Sequence, residues 1–201
     1  MWSQLLRVWV VASLVTLPIV AEGRETEQIL ISVFNRAGAN PATVRAAEKM
    51  AAKIYEQVGV SIAWRNCRTQ AEPELERCEA ATGHGQLVLN IEHQPRTLVA
   101  DAFGVAFLGN DGWGTFCDVF YDRILELHRD GRASEETVLG MVMAHELGHL
   151  LLGSNSHSDT GIMRPKWQSE DFLTPDFGVT KFNRQQVQKL SDRLKQVGPN
   201  S

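Results

Sequence analysis

The chain has 201 residues, 43% of them hydrophobic, and its 20 Lys+Arg against 24 Asp+Glu leave a net charge of −4. A mildly acidic chain without a lysine/arginine cluster is a poor match for a phosphate backbone, so no nucleic-acid partner is expected. The length suits one domain with a core of its own.

Arg7, the apolar run from Val8 to Val20 and the small residues of Ala21-Glu22-Gly23 read as a signal peptide over residues 1–23. The run is too short and too poorly flanked for a transmembrane helix. The mature protein, residues 24–201, is therefore expected to be secreted or periplasmic, with no stable membrane insertion. Three cysteines follow: Cys67, Cys78 and Cys117. In an oxidising compartment Cys67 and Cys78 can close a small loop, stabilising it by about 2–3 kcal/mol in the chain-entropy model. Three cysteines allow three single bridges. In the Cys67–Cys78 pairing, Cys117 is left as a buried small hydrophobe within a strand.

Gln28 to Phe34 is a β-branched apolar run and predicts a strand. Asn40-Pro41 is a helix start, and Val44, Ala47, Met50, Ala51, Ile54 and Val58 recur at helical steps up to Gly59. Val60 to Arg65 and Gln86 to Glu92 read as further strands, separated by a charged loop that holds Cys67 and Cys78. Phe103 to Leu108 and Thr115 to Tyr121 flank a Gly/Asn/Asp segment and predict an irregular hairpin. A short helix is expected near 123–129. Ser134 with Glu135 and Glu136 then opens a helix to about Leu152, apolar nearly all round and so expected to be buried. Gly153 ends it. A last amphipathic helix, starting at Thr180 or Asn183, runs to about Val197. Together these predict an α+β fold, a mixed twisted sheet with a buried active-site helix and a C-terminal helix.

The chemistry lies in Val142–Met163, VMAHELGHLLLGSNSHSDTGIM. A helix turns about 100° per residue, so His145 and His149 stand one above the other on one face. Two imidazoles so placed can reach one tetrahedral Zn²⁺, with Glu146 on the flank of that face as a base. Polar side chains in a helix this apolar cost several kcal/mol without partners, which favours a metal. The chain turns at Gly153 and can bring His157 back as a third ligand. Zinc held by three imidazoles keeps a fourth position for water and lowers its pKa, and Glu146 is placed to take the proton. His84, His93 and His128 have no ligand-like spacing and are expected to be ordinary histidines.

These residues resemble the metzincin clan of zinc metalloproteases. The resemblance rests on His145-Glu146-x-x-His149, the following glycine and third histidine, and Met163 in Thr-Gly-Ile-Met. It implies a methionine turn at Met163, a Zn²⁺ cofactor and peptidase activity on a peptide or protein substrate. Ser158 after His157 and Pro165 after Met163 look like the matrixin form of the pattern. The spacing departs from the clan. Gly153 lies four residues after His149 and His157 four after Gly153, where metzincins have three and three. No tyrosine follows Met163. The pattern therefore resembles a divergent branch. In metzincins an edge strand binds the substrate antiparallel, which makes Phe103 to Leu108 the candidate here, with Ala106 and Phe107 nearest the centre. No separate inhibitory pro-domain is expected between residue 24 and His145.

Two other readings compete with an exported zinc endopeptidase. One takes an acid, Glu170 or Asp171, as the third ligand in the manner of gluzincins. The other is a catalytically silent zinc module that binds peptides or a partner, against which the intact Glu146 argues.

Overall fold

A computed structural model of the protein describes residues 28–70, 78, 86–94, 102–131, 133–153, 156–167, 171–172 and 181–197. The signal peptide expected at 1–23 lies outside these. The elements are β1 (Gln28–Asn35), α1 (Pro41–Glu56), β2 (Ser61–Cys67), β3 (Gln86–Glu92), β4 (Gly104–Phe107), β5 (Phe116–Phe120), α2 (Tyr121–Arg129), α3 (Glu135–Leu152) and α4 (Arg184–Val197).

The strands form one sheet in the order β2-β1-β3-β5-β4. β1 pairs parallel with β2 and β3, and β3 with β5, while β4 runs antiparallel to β5. Period-two alternation assigns the faces. Ile29, Ile31, Val33, Leu87, Leu89, Ile91, Cys117 and Val119 point inward and are buried. Against them lie α1 and α3, which also pack on each other. The result is a mixed α+β architecture, with helices covering the inner face of a five-stranded sheet. Among the described residues, no helix is long and apolar enough to cross a membrane.

Local chemistry accounts for the helix boundaries. Asn40 Oδ1 accepts from Ala42 N at 2.8 Å with Pro41 in the first turn, and α1 buries Val44, Ala47, Ala51 and Ile54. It ends at Glu56, a little before Val58, because the chain tightens there: Val58 N bonds back to Tyr55 O and Gly59 N to Glu56 O. α2 starts at Tyr121, directly off β5. Arg193 of α4 stacks 3.6 Å over the Trp113 ring and donates to Gly112 O at 2.9 Å. That contact fastens the C-terminal helix to the β4–β5 loop. Cys67, at the end of β2, is disulfide-bonded to Cys78 with Cα atoms 5.4 Å apart, and Cys117 is a buried free thiol.

One carboxyl on α1 is unusual. Glu48 is buried and accepts from Asn66 Nδ2 of β2 at 3.0 Å. Burial pushes it from 4.5 up to about 7, against the opposing influence of Asn66 and Arg45. The folded pKa exceeds the unfolded one, so this residue's stabilising contribution is complete below about 4.5 and is lost as pH rises through about 7. Glu48→Gln keeps an oxygen for Asn66 and removes the titration. It should leave the unfolding midpoint little changed at pH 5 and raise stability at pH 8 by on the order of 2 kcal/mol, measured by thermal or urea unfolding at both pH values.

Candidate metal centre

α3 is the helix on which the site is built. Ser134 Oγ caps it, accepting from Thr137 N at 3.3 Å, with Glu135 and Glu136 in the first turn. Val138 to Gly148 and Leu150 to Leu152 are buried without a break, so the helix runs through the core. It stops at Gly153, whose φ of 78° suits glycine and turns the chain back beneath the helix.

The returning loop meets the histidines. His145 Nδ1 lies 2.8 Å from Ile162 O. A carbonyl can only accept, so Nδ1 carries the hydrogen. His149 Nδ1 lies 2.9 Å from Ser156 Oγ, and that hydroxyl spends its own hydrogen on Gly153 O at 2.8 Å. Ser156 Oγ must therefore accept, and His149 Nδ1 is protonated as well. Burial, opposed by the Ile162 hydrogen bond and aided by His157, pulls the His145 pKa down to about 4. Burial together with His145 and His157 pulls His149 down to about 3. Both rings are neutral at pH 7, and each presents a bare Nε2 lone pair.

Those two Nε2 atoms lie 3.1 Å apart. With both tautomers fixed by the far side of the ring, no hydrogen stands between them. Lone pair faces lone pair, an arrangement that a shared cation turns from repulsive to favourable. His157 comes within reach: its ring centroid lies 5.4 Å from that of His145 and 4.7 Å from that of His149. One nitrogen from each of the three histidines falls inside a 4.8 Å group. Burial lowers the His157 pKa too. Three neutral imidazoles, two of them with their tautomers set by outer partners, are a donor set that can hold a metal ion and that fits Zn²⁺.

Glu146 is 6% exposed and lies beside this group, its carboxyl pushed by burial up to about 8. A neighbouring cation favours the ionised form and opposes that shift. Gly104 of β4 lies against it: a Cβ there would fall 2.6 Å from Glu146 Cγ and 2.8 Å from its Cδ. Met163 is fully buried beneath α3, in a turn closed by Arg164 N to Gly161 O at 3.2 Å and Ser158 N to Met163 O at 3.0 Å. Its side chain fills the space a Cβ on Gly148 would need.

The site opens into a cavity of about 500 Å³, walled by β4 and its flank (Ala102 to Ala106, Leu108) on one side and by Arg164 to Trp167 on the other. Ala106 lines this cavity. Phe107, the other residue expected near the centre of that strand, is not among its lining residues: its ring stacks on Phe116 at 4.5 Å and is 41% exposed. Trp167, unmarked by any motif, packs edge-on to His145 at 5.1 Å. Asp171 is held by Arg164 at 2.9 and 3.1 Å and is not part of the histidine group, while Glu170 lies outside the described residues. His93 pairs with Asp122 and His128 with Ala133 O, both away from the site, and His84 lies outside the described residues.

In overall shape the protein is similar to the crystal structure of archaemetzincin from Methanopyrus kandleri, with a TM-score of 0.56 over 88% of this chain and 99% of that one. The fold is metzincin-like. Sequence identity in that alignment is 16%. Myroilysin also matches, at 13% identity and a TM-score of 0.35 over 81% of this chain and 74% of that one. No protein-family model and no curated protein sequence matches the chain.

The contact beneath α3 generates a prediction. Gly148→Ala puts a Cβ 3.2 Å from Met163 Cε and closer still to its sulfur. Displacing that side chain should cost about 1–3 kcal/mol of stability, read from urea unfolding of the metal-free protein.

Proposed function

We propose that this chain is an exported zinc-dependent endopeptidase, with residues 24–201 as its catalytic domain. The observation that carries the reading is the pair of bare Nε2 atoms of His145 and His149, facing each other with His157 beside them and Glu146 at the flank. In this reading His145, His149 and His157 hold Zn²⁺, and Met163 packs beneath them. Bound there, zinc supplies Lewis-acid polarisation of the scissile carbonyl.

Glu146 is the general base. It takes a proton from the attacking water and passes it to the departing amine nitrogen, which leaves two products and a regenerated carboxylate. Gly104 leaves room for the Glu146 carboxyl between β4 and α3. β4 is the last strand of the sheet, paired with β5 on one side. Its other edge faces the cleft, and an extended substrate running antiparallel can add to it. Ala106 has too small a side chain to block that approach.

Export rests on the apolar N-terminal stretch and on the Cys67–Cys78 bond, since disulfides persist where the compartment is oxidising. The partner is a peptide or protein substrate.

The purified protein should contain about one zinc per chain, cleave an unstructured protein such as casein, and lose activity to a chelator. Glu146→Gln should keep its zinc and lose about 10²–10⁴-fold in rate. An equally inactive wild type and Glu146→Gln, both zinc-loaded, across a broad peptide library would instead favour a binding module. Gly104→Ala should likewise retain zinc, because it touches no ligand, yet lose on the order of 10²-fold in kcat as the added Cβ presses on the Glu146 carboxyl and on the Asp118 carbonyl of β5. Full activity in that variant would show that the close approach at Gly104 is not needed to place the Glu146 carboxyl.

A further inference from the structure

The loop that returns from Gly153 to the metal centre is longer than the metzincin pattern by two residues, and a longer loop places its ligand less tightly unless something holds it. The element that holds it is α4. Gln186, only 6% exposed, reaches from the first turn of α4 to both neighbours of His157. Its Nε2 donates to Ser156 O at 3.0 Å and to Ser158 Oγ at 3.0 Å. Ser158 Oγ gives its own hydrogen to Thr160 O at 2.8 Å, so it accepts from Gln186. The amide cannot be turned the other way. Its Oε1 accepts from Asn183 N at 2.9 Å, and a flipped amide would set oxygen against the Ser156 carbonyl.

Resting on the metal reading above, we infer that Gln186 is a positioning residue for the zinc site. It acts at two points. Bracketing residue 157 from either side holds the third ligand at the metal. Fixing the Ser156 backbone holds the hydroxyl that accepts from His149 Nδ1, and with it the tautomer and tilt of that ring. The same terminal segment steadies the acceptor of the other histidine: Lys181 O takes Ile162 N at 3.0 Å, and Ile162 O receives His145 Nδ1. The loop residues that support the three histidines are thus held by one stretch of chain, Lys181 to Gln186, at and just before the start of α4 and well beyond the motif.

Two variants separate this role from simple helix capping. Gln186→Glu keeps an oxygen for Asn183 N but has no N–H to give Ser156 O and Ser158 Oγ. Asn183→Ala removes the Asn183 Oδ1 that accepts Gln186 N at 2.9 Å and leaves the Nε2 contacts alone. Zinc affinity is measured on the full chain by competition with a chromophoric chelator, and ligand geometry by the visible absorption of the cobalt-substituted protein. Gln186→Glu should weaken zinc binding by about 10–100-fold and alter the cobalt spectrum. Asn183→Ala should lower the melting temperature while zinc affinity and the cobalt spectrum stay those of wild type. Ser158→Ala, which removes one of the two acceptors, should give a smaller loss of affinity and serves if Gln186→Glu does not fold. Wild-type affinity and spectrum in both Gln186→Glu and Ser158→Ala, or a loss in Asn183→Ala as large as in Gln186→Glu, would overturn the inference. A wild-type protein that takes up no zinc would instead overturn the metal reading, and this inference with it.

Discussion

Two imidazole nitrogens turned lone pair to lone pair, 3.1 Å apart, are the constraint on which the rest of the site depends. Nothing in a helix forces that orientation, since a histidine at either position can rotate its ring. The far sides of the rings decide it, through a carbonyl that can only accept and a hydroxyl whose hydrogen is already given away. Those acceptors belong to the loop, not to the helix. The helix therefore supplies spacing, and the loop supplies tautomer and direction.

This division explains why so apolar a helix can carry ligands at all. Leu147, Leu150, Leu151 and Leu152 bury α3 in the core, where an unpaired polar group would cost several kcal/mol. Ile162 O and Ser156 Oγ cover that cost for the inner nitrogens. The outer nitrogens are left for a cation. The core and the site are thus one arrangement: the burial that packs α3 into the core also shields the imidazoles from water and keeps them neutral.

Much of this was legible in the sequence, because it is written in periodicity and residue type. The strands announced themselves by β-branched runs, α1 and α3 by their caps, and the histidine pair by its four-residue step. Gly153 and His157 together implied a chain that turns back. What stayed hidden has no residue-type signature. Ile162 takes part through its carbonyl, which every residue has. Gln186 meets Ser156 across 30 positions, and Gly104 lies against Glu146 from the far edge of the sheet. Trp167 carries no motif. The stacking of Phe107 on Phe116 depends on the pairing of β4 with β5, which no residue type announces.

β4 carries the last step. It is only four residues long, Gly104 to Phe107, and short edge strands are how sheets avoid pairing with unintended partners. Yet it sits at two contacts at once. At Gly104 its lack of a side chain lets α3 approach until Glu146 fills the gap, and at Ala106 its small side chain leaves the cleft open. Antiparallel pairing with β5 sets both, since the register Gly104 with Val119 and Ala106 with Cys117 fixes how β4 lies over the helix. A shift of one residue would put Val105 against the carboxyl and turn the wrong face to the cleft. The register of the sheet's outermost strand therefore matters more to the chemistry than its few hydrogen bonds matter to stability.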